Sequence, residues 1–438
     1  MISIQNKKDC CGCSACASIC PKQCITMVED KEGFLYPSVD EDVCVNCGVC
    51  EKVCNEMMPY DKREPKQVLA AINKNEQVRL KSSSGGIFYL LAEKIISEGG
   101  VVFGARFDET WQVLIDYADD MRGVETFMGS KYVQARVANA YKDVKRFLIE
   151  GRKVLFTGTP CQVAGLHKFL RKPYENLLTV DFICHGTPSP KVWRMYLDET
   201  IKTAQSISHI EFRNKKRGWK NFCFRLTYNE EDKTLSLLSP FQHNPYMKAF
   251  LQDIILRPSC YDCKAKGCSS QSDITIADFW GVNTLFPNMD DDKGTGLVFI
   301  NTDKGQTALD FAQMNVAETT YECIKPLNPA CYRSPKVHPK REDFFARLDH
   351  ENVIELIKDL TRPTTRQSIR MILSRCKSAL IRIVRNLIGG GKISSSNEQK
   401  NIERETVLQT LQHPQIMSIN FRCKRHGWKT YNMEIRIK

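Results

Sequence analysis

The chain has 438 residues, of which 42% are apolar and 26% charged, an ordinary balance for a folded soluble protein of two or three domains. No stretch of 18 uncharged apolar residues occurs, which excludes a spanning helix. The formal charge of +12 is not spread evenly: residues 361–438 hold 16 Lys and Arg against 4 Asp and Glu, and the other 360 residues hold 47 of each sign. A charge-balanced body therefore carries a basic tail.

Ten of the first 54 residues are cysteine. Cys10, Cys13, Cys16 and Cys20 read C-x2-C-x2-C-x3-C, and Cys44, Cys47, Cys50 and Cys54 repeat the spacing. This run wraps 4Fe-4S clusters in two-cluster ferredoxins, where the fourth cysteine of each run ligates the other cluster. Cys10, Cys13, Cys16 and Cys54 are expected to hold one cluster, and Cys44, Cys47, Cys50 and Cys20 the second. One-electron transfer follows, against most hydrolytic and binding-only readings. Zinc also uses C-x2-C pairs, but usually two pairs separated by a longer loop. Disulfides are the other rival. The opening MISIQNKKDCCGC has no apolar h-region, so a cytoplasmic, reducing location is expected, where cysteines more often bind metal. Cys11 and Cys24 lie off the pattern and read as small buried side chains near the clusters.

Residues 1–58 thus form a ferredoxin module, and 59–67 (PYDKREPKQ) reads as a linker. Strand 68–73, helix 87–100, strands 101–108 and 113–119, helix 137–152, strand 153–161, helix 162–170 and strand 177–186 follow in order. Helix, strand, turn, helix, strand is the grammar of a parallel α/β unit. Residues 207–240 read as antiparallel strands with a turn at Arg217-Gly218. The expected class is α+β: a two-cluster ferredoxin module, a mixed α/β domain in two parts (65–150 and 151–340), and a basic tail (341–438). One internal repeat stands out: IEFRNKKRGWKNFCFRL (210–226) aligns without gaps onto INFRCKRHGWKTYNMEI (419–435). It reads as a shared hairpin, with a phosphate- or acid-binding hairpin as the alternative.

Three glycine turns sit at ends of expected elements: SSSGG (82–86), TGTPC (157–161) and CHGTPSP (184–190). The last two follow buried strands, at the edge where α/β sheets bind cofactors. None matches a Rossmann fingerprint or a P-loop. A third cysteine group, Cys260-x2-Cys263-x4-Cys268, is one ligand short of a closed site, and Cys161 or Cys184 is the candidate fourth. A third 4Fe-4S cluster is the first reading and zinc the second.

Taken with GSKYVQA (129–135), FRNKKRGWK (212–220) and RPSCYDCKAKGCSSQSDITIADFWG (257–281), these motifs make the chain resemble the family of coenzyme F-420 hydrogenase/dehydrogenase beta subunits over about 65–340. The resemblance implies an FAD-binding domain that moves electrons between iron–sulfur clusters and a two-electron acceptor. It places flavin contacts at Ser84, Gly85, Gly86, Lys131, Tyr132, Thr157, Gly158, Thr159 and Pro160. A flavin converts between one-electron and two-electron chemistry. Lys131 is then a candidate stabiliser of reduced flavin, against a surface lysine. His185 is a candidate proton donor to substrate, against a structural histidine. Asp278 and Trp280 either line the same site or pack it. The fused module and the tail depart from the hydrogenase subunits and leave the identity of the acceptor open.

In the tail, RQSIRMILSRCKSALIRIVRNLI (366–388) reads as a basic amphipathic helix, and 389–401 as a flexible linker. The helix suits an anionic membrane surface on the inner face, or packing on the body through its apolar stripe. Nucleic acid is not an expected partner. The expected partners are a redox protein such as ferredoxin or another redox subunit, and a small-molecule acceptor.

Overall fold

Two short antiparallel strands, β1 (Ile25–Glu29) and β2 (Leu35–Val39), and two short helices, α1 (Ala15–Ile19) and α2 (Val49–Lys52), build the N-terminal module. The sequence repeat is also a backbone repeat. Gly12 and Ser14 flank Cys13 at φ of 70° and 61°; Asn46 and Gly48 flank Cys47 at 50° and 69°. Left-handed residues on both sides of the middle cysteine turn the chain sharply, which wraps closely spaced thiols around one point. The computed structural model describes residues 1–201 and 206–362.

The body is built on an eight-stranded sheet in the order β13-β3-β12-β11-β7-β6-β4-β5. Its strands are β3 (Gln67–Asn73), β4 (Val101–Phe107), β5 (Val113–Ala118), β6 (Val154–Gly158), β7 (Leu177–Phe182), β11 (Ile274–Asp278), β12 (Gly296–Ile300) and β13 (Met314–Thr319). The central four, β11, β7, β6 and β4, run parallel, and the outer pairings are antiparallel. Because β3 is antiparallel to β12, which is antiparallel to β11, the carboxyl ends of β3, β4, β6, β7 and β11 share one edge. Helices α3 (Glu76–Lys81), α4 (Ile87–Ser97), α5 (Met121–Phe127), α6 (Ala140–Ile149) and α7 (Pro160–Leu170) lie between these strands in the chain. The central strands are apolar on both faces, as parallel strands must be. Val102 and Leu155 pack with Leu91 and Ala92 of α4, while Phe103, Val154 and Phe156 pack with α6 and α7.

A long insertion between β7 and β11 carries α8 (Pro190–Thr200), α9 (Pro245–Leu251) and a second sheet of β8 (Ser206–Asn214), β9 (Cys223–Glu230) and β10 (Lys233–Pro240), all antiparallel. Trp193, Tyr196, Phe212, Phe224 and Tyr246 form its aromatic core.

The body reaches further than the sequence suggested. Residues Met1–Arg362 form one unit, so 341–362 belong to the body and not to the tail. The physical reason is burial: Phe344, Leu348, Val353, Leu356, Ile357 and Leu360 complete the core of the insertion, and Arg341 is buried against Glu32 of the module. The amphipathic segment 366–388, the linker 389–401 and the second copy of the repeat at 419–435 lie outside the described residues. Among the described residues no helix is long and apolar enough to cross a membrane.

Candidate functional site

The eight module cysteines lie close together in the N-terminal module. Cys16 lies within electrostatic reach of Cys10 and Cys54, and Cys13 of Cys10 and Cys16. Cys20, Cys44, Cys47 and Cys50 line one small cavity, joined by Cys24, whose sulfur is 3.4 Å from that of Cys20. The two sets differ in placement. Cys47 of the second set is exposed and Cys50 buried, whereas Cys10 and Cys16 of the first set are both buried.

Cys13 is pressed onto α7. A Cβ on Gly165 would stand 3.0 Å from both Cβ and Sγ of Cys13, so only glycine leaves room there. One turn earlier, Cys161 opens α7, where Pro160 takes the first helical position and Thr159 and Gln162 form a capping box. Cys11 links the two places: its thiol lies beside those of Cys13 and Cys161, and its carbonyl accepts from Gln134 Nε2 at 3.1 Å. Glu56, whose carboxyl burial pushes up to about 7, lies beside Cys11.

A third set gathers at the carboxyl ends of β6 and β7. Cys161, Cys184, Cys260 and Cys263 lie within electrostatic reach of one another. The expected trio does not hold together: Cys268 turns away and faces Asp181, Arg63 and Cys331 instead. The reason lies in the backbone, where Cys268 takes a left-handed φ of 53° and Arg63 Nε binds its carbonyl at 3.2 Å. Cys161 and Cys184, weighed as alternatives, stand here together. Thr187 N–H donates to Cys260 Sγ at 3.3 Å, and Thr159 Oγ1 lies 3.1 Å from Cys161 Sγ. Burial pushes the thiols of Cys184, Cys260 and Cys263 up, that of Cys263 to about 12. Metal ligation at such thiols must release their protons. Among the described residues no group of three or more His, Cys, Asp or Glu is arranged to hold a single metal ion. A cubane makes a different demand, one thiolate for each of four irons.

The residues assigned to flavin by resemblance share the same sheet edge, yet their side chains are mostly occupied. Ser84 Oγ donates to Thr295 O at 2.9 Å and Thr157 Oγ1 to Phe103 O at 2.7 Å. Gly85 is close-packed: a Cβ would meet Ala71 O at 2.4 Å. Ser83 Oγ accepts from Ser130 N–H at 2.7 Å, and Gln162 Nε2 donates to Ala135 O at 3.0 Å, so loop 129–135 ties together the turns at 82–86 and 157–160. Lys131 is half-buried, desolvation pushes its ammonium down to about 7, and it donates to the carbonyls of Phe127, Met128 and Gly129 at the end of α5. Tyr132 stacks on Phe250, which is edge-on to His185. His185 Nε2 lies 2.6 Å from Asp253 Oδ1.

Sequence reasoning missed the network behind this edge. Arg213 donates to both oxygens of Asp278, at 2.7 and 3.1 Å, and to Tyr132 Oη; Trp219 Nε1 donates to Asp278 at 2.8 Å. Lys215 holds the carbonyls of Arg79, Ser84 and Lys293, and burial pushes it down to about 7. The signal was the FRNKKRGWK repeat, whose Arg213, Lys215 and Trp219 all serve to fasten the small sheet to this edge. Trp280, 37% exposed, stacks on Trp219 at 4.8 Å and 6°.

Residues 9–57 match the 4Fe-4S dicluster domain model, and residues 151–323 match the model for the C terminus of the coenzyme F-420 hydrogenase/dehydrogenase beta subunit. The F-420H2 dehydrogenase F subunit of Methanosarcina mazei is 22% identical over 188 residues, 40% of this chain and 53% of that protein. A 7Fe ferredoxin of Hydrogenibacillus schlegelii is 44% identical over 41 residues, 9% of this chain and 46% of that protein. The chain thus spans about half the length of each of these relatives. A solved chain of the F-420-reducing nickel–iron hydrogenase complex from Methanosarcina barkeri superposes with a TM-score of 0.42 at 16% identity, over 67% of this chain and 97% of that one. Residues 151–323 are thus similar to the C terminus of coenzyme F-420 hydrogenase/dehydrogenase beta subunits, behind residues 9–57 that match a 4Fe-4S dicluster domain.

Proposed function

We propose that the chain is an iron–sulfur flavoprotein oxidoreductase. In this reading the module's two clusters pass electrons to a third, held by Cys161, Cys184, Cys260 and Cys263, and on through FAD to a two-electron acceptor. The observation that carries it is the gathering of those four cysteines, from three separated segments, beside Cys11 and Cys13 on the sheet edge where α/β proteins hold cofactors.

FAD would be held by the backbone of Ser84, Gly85 and Gly86, with Gly158, Thr159 and Pro160 facing it and Lys131 and Tyr132 alongside. The protein's hydroxyls there are already partnered, so backbone N–H groups at the start of α4 are left to face phosphate. Bound flavin supplies the exchange between one-electron and two-electron steps. Lys131, poised near neutrality, adjusts its charge to that of its surroundings. Asp253 holds the His185 imidazole beside the third cysteine set, which keeps His185 the candidate proton donor. F-420 is the named substrate of the relatives and the first acceptor to assay.

Anaerobic purification with iron, sulfide and flavin quantitation tests the reading. About twelve irons and about one FAD per chain are expected, falling to about eight irons in Cys263→Ala and unchanged in Cys268→Ala. A native chain with eight irons removes the third cluster, and a reconstituted chain without flavin removes FAD. A relay subunit with no substrate of its own is the second reading, favoured by the exposed edge at Cys47. Turnover by the isolated, loaded chain would exclude it.

A further inference from the structure

Two buried cations flank the third cysteine set, and neither has a carboxylate. Arg257 is fully buried, at 0% exposure. Its guanidinium donates to Cys10 O at 2.7 Å, Leu35 O at 2.9 Å and Gln134 Oε1 at 3.1 Å, all neutral acceptors. The rings of Tyr36 and Phe34 lie 4.3 and 5.4 Å from it. Lys266, 6% exposed, donates to the carbonyls of Cys184 and Ala330. Among the described residues neither makes an ion pair; Glu56 acts on Arg257 only at longer range. A buried cation left without a countercharge is strongly unfavourable. Something anionic must stand beside both, and four thiolates around a cubane carry net negative charge that grows on reduction.

The position of the pair adds a direction. Arg257 sits between the Cys10 set and Cys260, and Lys266 lies against Cys184. Among the described residues the outboard set of Cys20, Cys44, Cys47 and Cys50 has no such neighbour. Its nearby charges, Lys22, Asp40, Glu41, Asp42 and Lys52, are exposed, and Glu51 pairs with the N-terminal ammonium. Water and salt screen these groups far more than buried ones.

We propose that Arg257 and Lys266 are built-in countercations for the two inboard clusters, raising their reduction potentials above that of the exposed outboard cluster so that electrons run inward from a one-electron carrier docked at Cys47. This rests on the cluster assignments above. Each cation favours the form with one more electron, so a reduced carrier loses an electron to the outboard cluster and the electron moves down to the inboard pair.

The test is an EPR-monitored redox titration of the full-length, fully loaded chain. Lys266→Met keeps length and apolarity and removes the charge. It should lower the reduction equilibrium constant of one cluster about tenfold, or about 59 mV for a one-electron couple. Lys266→Arg should restore it, and the outboard potential should not move. Arg257→Met should lower two potentials and Arg257→Lys should not. Where Arg257→Met fails to fold, the Lys266 pair decides. Unmoved potentials at native iron content overturn the proposal, as does an equal shift of all clusters, which would mark a general structural effect. A native chain holding only two clusters overturns the third-cluster reading instead, and Arg257→Lys against Arg257→Met still decides the proposal at the Cys10 cluster.

Discussion

Glu32 lies in the turn between β1 and β2 and accepts both forks of the Arg341 guanidinium, at 3.1 and 2.5 Å, with side-chain exposures of 15% and 9%. The pair joins the module to the C-terminal part of the body. Arg341 also donates to Leu256 O, one residue before Arg257. Replacing Glu32 with Gln keeps the shape and removes the charge. Breaking a buried pair costs about 3–5 kcal/mol because one charge is left uncompensated. Here Arg341 keeps the Leu256 carbonyl and the Phe345 ring, 4.5 Å away, and the Gln amide oxygen still accepts one bond. The expected loss is therefore about 2 kcal/mol. Urea unfolding of the loaded chain under anaerobic conditions measures it as a lower midpoint at unchanged slope. A double variant, Glu32→Leu with Arg341→Met, should recover most of the loss, since no charge is then stranded. A loss below about 0.5 kcal/mol in Glu32→Gln, or a double variant weaker than the single one, would refute the reasoning, because either result means the pair is solvated like a surface bridge.

Three further outcomes follow from the geometry. Lys131 has a folded pKa pushed down to about 7, against about 10.4 unfolded, so between these values the unfolded chain binds the extra proton and stability rises with pH. Lys131→Met should remove that contribution, flattening the stability curve between pH 7 and 9 by up to about 1.4 kcal/mol per pH unit; parallel curves would show that the ammonium stays charged on its three carbonyls. Gly165→Val should cost about 1–3 kcal/mol and disturb the EPR signal of the Cys10 cluster, since the new side chain enters the space of Cys13 and Tyr141 Oη; native stability with a native signal would free Cys13 from α7. Asn244→Ala should cost about 2 kcal/mol by urea unfolding, because the buried amide both caps α9 and donates to Tyr196 Oη at 2.8 Å; a loss below about 0.5 kcal/mol would mean water replaces it.

What the sequence made legible was local. Cysteine spacing encodes a backbone repeat, so the matching turns around Cys13 and Cys47 were legible from spacing alone. Buried apolar runs at 153–161 and 177–186, with a helix between them, announced parallel strands, which need apolar residues on both faces. The third cysteine set was only half legible. Spacing made Cys268 look like a partner of Cys260 and Cys263, but a left-handed turn at Cys268 sends its thiol to Cys331, and spacing carries no information on that turn. The missing members, Cys161 and Cys184, come from adjacent strand ends that only the sheet order brings together. The body's extension to Arg362 was hidden because the motifs that carry the resemblance end before residue 341, while six apolar side chains beyond it decide the packing.

The buried arginines sharpen the case for an anionic neighbour. Arg79, Arg213, Arg257 and Arg341 are the buried arginines among the described residues. Three of them are fastened to carboxylates: Arg79 to Asp291, Arg213 to Asp278 and Arg341 to Glu32. Each joins segments far apart in the chain, and each follows the rule that a desolvated guanidinium takes an acid. Arg257 is the most deeply buried of the four and breaks that rule. Its position explains the exception only if the countercharge arrives with the clusters, for Cys10 and Cys260 are the thiols it faces. On this argument the seat of the module on the body is completed by cluster assembly. The chain without iron should then dock its module loosely, and proteolysis within 59–67 should be faster before reconstitution than after it. Equal cleavage rates in the two states would show that Arg257 needs no anion to stay buried.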